Sequence, residues 1–293
     1  MFAYAQLIIA AFLFSVQFVF QRQFTKSEGE TLRTSFLFSL LTSVVRVAFL
    51  LLLGGFRVEA LSPTVLLLTL LQSADSILFI FMSAKAFRYA DMSLYSLLSM
   101  LGGMILPFLY GILFCHEGLG RIKGICFVLI AVAVLLGVEK SKGKGALGCY
   151  VGVFLANGMS GVLATMNREA VEGVDGNSYL IYAGLWTVIG SLAVLLRSRE
   201  QEKKKDGKAK PLFVSPRSAI LSGTVYSLSC SFGNLLLMIA LMTLPASVQY
   251  PFITGGTIAF SAAISLLRKE KIKRRSLIAA FVAIAASALL VLA

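Results

Sequence analysis

The sequence predicts an all-α polytopic membrane protein, with about ten transmembrane helices arranged as two inverted five-helix repeats. Three observations predict it. The 293-residue chain is 58% hydrophobic and only 14% charged, where an ordinary soluble domain carries about 25% charged residues. Nearly uncharged runs of about 20 residues, the length a helix needs to cross hydrocarbon, recur throughout the chain. Marker residues of the first half also return in the second at a nearly constant offset.

The runs place spans at 3–20, 34–54, 62–84, 92–114, 124–138, 147–166, 178–196, 218–239, 245–267 and 276–292. Stretches such as Phe49 to Leu53 and Leu66 to Leu68 are apolar on every face, unlike the alternating pattern of membrane-barrel strands. The first span begins almost at Met1 without a basic leader or a small-residue cleavage site, so it is expected to stay as a helix rather than be removed as a signal peptide. Between the seventh and eighth spans, Arg197 to Pro216 is the longest polar stretch and has the composition of a flexible charged linker.

The repeat is readable by eye. Ala90-Asp91-Met92-Ser93-Leu94 lies against Leu244-Pro245-Ala246-Ser247-Val248, Gly102-Gly103 against Gly255-Gly256, Glu117 against Glu270, and Arg121 against Arg274. Ser15 with Arg22 similarly matches Ser160 with Arg168. Residues 1–140 then form the first five-helix unit and 141–293 the second, which contains the charged loop 197–217. Because five is odd, the second unit enters the membrane from the opposite side.

Charge gives an orientation. Of the 27 Lys and Arg residues, 22 fall in loops after odd-numbered spans, four in loops after even-numbered spans, and one, Arg46, inside a span. Positive residues mark the cytoplasmic side, so both termini are expected outside, in a plasma or inner membrane. The net charge of +13 is thereby explained by anionic headgroups rather than nucleic acid. Cys115, Cys126, Cys149 and Cys230 lie singly with no CxxC spacing, so neither a disulfide frame nor a zinc site is expected.

The segment Ala86-Phe87-Arg88-Tyr89-Ala90-Asp91-Met92-Ser93 leads into a Gly-containing fourth span and Glu117; Leu244-Pro245-Ala246-Ser247 leads into Gly255-Gly256 and Glu270; Arg46 sits inside the second span. On these features the chain resembles, over essentially its whole length, the EamA-type members of the drug/metabolite transporter superfamily. The resemblance implies a central cavity between two repeats and secondary transport of metabolites, amino acids, nucleotide sugars or drugs by alternating access. Members commonly place both termini in the cytoplasm, opposite to the orientation that charge predicts here.

Arg46 and Asp75 stand out as site candidates, because a charge near the bilayer centre is costly and faces a cavity or a partner. Arg46 suits a substrate carboxylate or phosphate, and Asp75 suits an amine or a coupling proton; a structural ion pair between them is the competing reading. Gln17, Asn157, Ser160, Tyr182, Trp186, Tyr226, Asn234, Gln249 and Tyr250 interrupt otherwise apolar spans, where they either bond neighbouring helices or line a solvated cavity. The aromatic members could stack on an organic ligand.

Pro107 and Pro251 fall inside the fourth and ninth spans as candidate hinges. The paired glycines beside them, and Gly148 and Gly152 of a GxxxG, allow close packing. The Ser-rich eighth span, Ser222 to Ser231, permits close contact and could also line a pore.

His116 is the single histidine and no GxxxxGK[ST] motif occurs, so no multi-His metal site, HExxH enzyme or recognisable ATP motor is encoded. A channel or non-transporting scaffold, and then a membrane enzyme, are the alternatives. No cofactor is expected; the partners are a small-molecule substrate, the bilayer, and a coupling proton or counter-substrate, with the oligomeric state left open.

Overall fold

Hydrophobic runs with no water to satisfy their amides close their own hydrogen bonds as helices. The computed structural model describes residues 2–29, 31–86, 92–118, 120–136, 146–206 and 211–268 and part of 278–289. Among the described residues the chain is helical without strands: α1 (Phe2–Glu28), α2 (Leu32–Leu53), α3 (Pro63–Ala86), α4 (Met92–Leu113), α5 (Arg121–Leu136), α6 (Ala146–Glu169), α7 (Gly176–Asp206), α8 (Pro216–Leu241) and α9 (Ala246–Leu267). Six of these are long and apolar enough to cross a membrane, the architecture of a polytopic helical membrane protein. The expected tenth span, 276–292, is described only in part, as helical positions between Ile278 and Leu289, and the boundary near 140 and the markers Ala90, Asp91, Glu270 and Arg274 lie outside the described residues.

Burial runs the way lipid dictates. Large apolar side chains such as Phe12, Leu67, Leu71, Leu78, Leu155 and Ile189 are exposed on the outer faces, while Ser39, Thr69, Thr165, Ser191, Ser227 and Gln249 are buried within the bundle.

Local chemistry fixes the helix ends. Thr31 and Thr34 make a reciprocal capping box at the start of α2, and α2 stops where Gly55 and Phe56 take φ of 59° and 60°. The expected linker after span 7 is corrected in part: α7 continues through Arg197 to Asp206, making 31 residues, or about 46 Å at 1.5 Å per residue. Glu, Gln, Lys and Arg are good helix formers, so a helix that outruns the ~30 Å hydrocarbon needs no change of structure on leaving it.

In the bundle α1 packs on α8 and α9, α4 on α6 and α9, α3 on α6 and α7, and α2 on α7 and α8. Connections alternate between two ends. At the end of the odd-numbered connections, buried Glu28 accepts hydrogen bonds from the Val214 and Ser215 N–H groups, both at 2.7 Å, and so fastens the end of α1 to the start of α8. Charged acceptors at a helix start are strong. Glu28→Ala is therefore expected to cost about 1.5–3 kcal/mol, read as an earlier melt of the detergent-purified protein followed on its one tryptophan, Trp186; an unchanged melt would remove the fastening role.

Candidate functional site

Six helices enclose a cavity of about 150 Å³. It runs inward from Gly29 and Thr34, at the α1–α2 connection, to Arg46 and Asp75 in the middle of α2 and α3. Along α2 that is 12 residues, or about 18 Å, which places the charged floor near mid-membrane.

Helical spacing explains the lining. On α2 the residues Ser35, Phe38, Ser39, Thr42, Ser43 and Arg46 recur every three or four positions and so share one face. Asp75, Ser76, Phe79, Ile80 and Ser83 do the same on α3, and Gln21, Phe24 and Thr25 on α1. Ala156, Asn157 and Ser160 of α6, Thr187 of α7 and Tyr226 of α8 complete the wall.

Arg46 and Asp75 face the same cavity without pairing: no Arg46–Asp75 salt bridge occurs among the described residues, and Asp75 makes no hydrogen bond there. Arg46 Nη2 donates only a weak bond, at 3.4 Å, to Cys230 Sγ, and its buried Nε has no partner among the described residues. A buried donor left unmade is costly. The floor therefore carries an incompletely satisfied guanidinium and a separate carboxyl group on one cavity wall. Beside them Ser160 accepts from Gln72 Nε2 at 2.9 Å, and Gln72 Oε1 accepts from the buried Tyr179 hydroxyl at 3.1 Å.

The structure brings Arg46, Asp75, Asn157, Ser160 and Tyr226 together and sets the remaining candidates apart. Tyr182 donates to the Glu59 carbonyl at 2.7 Å, at the opposite end of the bundle. Asn234 bonds Cys230 one turn back, Gln249 donates to the Leu237 carbonyl, and Tyr250 to the Gly161 carbonyl at 2.9 Å. Gln17, one turn deeper than Gln21, and Trp186 stand outside the lining, each with a buried polar atom lacking a partner among the described residues. Pro107 and Pro251 lie within helices that run on through them, and Pro107 packs against Gly161.

The α2 hydroxyls escape the sequence reading, although Ser35, Ser39, Thr42, Ser43 and Arg46 at i, i+4, i+7, i+8 and i+11 are a polar stripe visible in the sequence. No cluster of His, Cys, Asp and Glu suited to a metal occurs among the described residues. Burial, and then nearby Glu169, push the Cys115 thiol above its ordinary range, which leaves it protonated.

No family model matches the chain, and no curated protein matches it. A solved structure described only as "Crystal structure of protein" is similar over 99% of this chain and 98% of its own, with a TM-score of 0.72 at 14% identity, a likeness of fold alone.

Proposed function

We propose that the chain is a secondary transporter that moves a small zwitterionic metabolite, such as an amino acid, by alternating access, and that it is an EamA-type member of the drug/metabolite transporter superfamily. The carrying observation is the one cavity wall that presents both Arg46 and Asp75, unpaired with each other, about halfway through the bundle. A carboxylate suits the guanidinium and an ammonium suits the aspartate, each replacing water lost on entry. The volume of about 150 Å³ matches cavities that hold a benzene-sized guest, which favours a small metabolite over a bulky drug.

Helix packing supports two inverted five-helix repeats. If α1–α4 correspond to α6–α9, the α1–α8 contact becomes α6–α3, α4–α6 becomes α9–α1, and α3–α7 becomes α8–α2, while α2–α7 and α4–α9 map onto themselves; every one of these contacts occurs. Ten spans with the odd-numbered loops cytoplasmic and the termini outside follow from that reading and the loop charge.

Counterflow tests the function. Proteoliposomes preloaded with one amino acid are expected to accumulate the labelled amino acid transiently and saturably, and not its amide or deamino analogue. Linear, unsaturable entry would indicate a channel, and no entry across an amino-acid panel would remove the reading.

A further inference from the structure

We propose that Glu117 and Arg168, acting on the first turn of α9, form the latch that holds shut the end of the bundle opposite the cavity mouth; the inference rests on the alternating-access reading above. Glu117 follows α4, and its side chain is only 8% exposed. Its Oε1 accepts the Ala246 N–H at 2.7 Å and its Oε2 the Ser247 N–H at 2.8 Å. These amides open α9, whose N-cap residue, Pro245, supplies no side-chain cap, so Glu117 takes that role from a distant part of the chain.

Arg168 completes the junction from the last turn of α6. Its Nη2 lies 3.6 Å from Glu117 Oε1, its Nη1 donates to the Leu241 carbonyl at 3.1 Å and the Leu244 carbonyl at 3.4 Å, and its Nε donates to Glu169 at 2.7 Å. One ion pair thus gathers the α4–α5 connection, the end of α6, the end of α8 and the start of α9. These belong to both halves of the proposed repeat, and they converge where a path to the other side of the membrane would have to open.

The bonding suits a switch better than a permanent joint. The bonds from the Ala246 and Ser247 N–H groups to Glu117 and from Arg168 to the Leu241 carbonyl are charges placed on helix termini, where water can replace them on opening, and Arg168 is partly exposed, at 19%. Neighbouring ties at this end join the Asp175 N–H to Glu59 Oε2 at 2.8 Å, the Glu59 N–H to Ser178 Oγ at 3.0 Å and the Tyr182 hydroxyl to the Glu59 carbonyl at 2.7 Å, and these three contain no cation. Releasing the Glu117 junction therefore subtracts its own contribution and leaves these in place.

The test is side-selective thiol labelling of the full-length chain in sealed vesicles of either orientation. Cys115, Cys126, Cys149 and Cys230 are replaced, and Ser76→Cys, on the cavity wall, carries the reporter for a membrane-impermeant maleimide. With the latch intact, labelling is expected to be fast from the side of the odd-numbered loops and slow from the other. Glu117→Gln and Arg168→Gln are each expected to shift the ratio of the two rates by about tenfold, the size of one charge-assisted hydrogen bond, with the fast side slowing as the slow side quickens.

A merely loosened bundle would raise both rates, so a joint rise overturns the proposal, as do unchanged rates. Folding is checked by gel filtration and the Trp186 melt. If one variant does not fold the other decides, and loss of the fold in both overturns the latch by making the pair a structural requirement. Reciprocal labelling without saturable flux would keep the latch and remove the transporter reading, whereas saturable flux with unmoved labelling would do the reverse.

Discussion

Alanine at Gly102 is expected to destabilise the purified protein by about 3 kcal/mol, the upper range for overpacking a fitted interface. A Cβ at this position would land on the backbone of Phe154, against its carbonyl oxygen and 2.7 Å from its carbonyl carbon. The facing residue is Gly158, whose own added Cβ would lie 2.6 Å from the Gly102 carbonyl oxygen. Helices α4 and α6 therefore cross backbone to backbone, the close approach that small residues permit in membranes. Sliding apart is opposed by Asn157, which donates to the Ser99 carbonyl at 2.6 Å across the same crossing.

Gly148→Ala is the control. A Cβ there meets nothing within 4 Å among the described residues, so the substitution is expected to be neutral or slightly stabilising through helix propensity. Thermal and SDS unfolding of both variants measure the contrast, and a Gly102→Ala protein that melts with the parent would refute the crossing.

The helical membrane class and the two charges inside the spans are legible in the sequence for the same physical reason. Long apolar runs have one economical backbone solution in lipid, and an Arg or Asp within such a run must face something polar, so the helices, Arg46 and Asp75 were all legible. The end of the seventh span was not, because Glu, Lys and Arg compose flexible linkers and exposed helices alike; α7 runs through them to Asp206.

Hydroxyls carry a similar ambiguity. Thr42 bonds the Phe38 carbonyl and Ser76 the Gln72 carbonyl on their own helices, a local satisfaction open to any Ser or Thr in a helix whether or not it borders a cavity. Tyr250 and Gln249 look like ligand contacts until the carbonyls they meet on Gly161 and Leu237 are known. The GxxxG of α6 packs at one of its two glycines: Gly152 lies close against the flexible side chain of Met82, and a Cβ at Gly148 would meet nothing within 4 Å among the described residues, while the backbone-to-backbone crossing uses Gly102 and Gly158. Glu117 stands out in the sequence only by its match to Glu270, and its hold on Ala246 and Ser247, 129 and 130 residues away, exists only in the fold.

Arg46→Gln is expected to weaken binding of a carboxylate-bearing substrate by roughly a hundredfold, the usual loss when one partner of a desolvated charge pair is removed. It should leave stability nearly unchanged. Those two expectations separate ligand recognition from a structural role: removing one member of a buried ion pair costs about 3–5 kcal/mol by stranding the other, but among the described residues the Arg46 guanidinium bonds Cys230 Sγ alone and no Asp75 pair occurs.

The two charges are then distinguished by pairing each variant with a trimmed ligand. The parent should prefer an amino acid to its amide and to its deamino acid. Arg46→Gln should lose the first preference and keep the second, and Asp75→Asn the reverse, if each side chain reads one end of the zwitterion as proposed. Thermal shift of the detergent-purified variants measures this directly, since a ligand that binds only the folded state raises the melting temperature with its affinity. A parent protein that binds the acid and its amide equally would take Arg46 out of the site, and a large drop in the unliganded melt of Arg46→Gln would return the residue to a structural role.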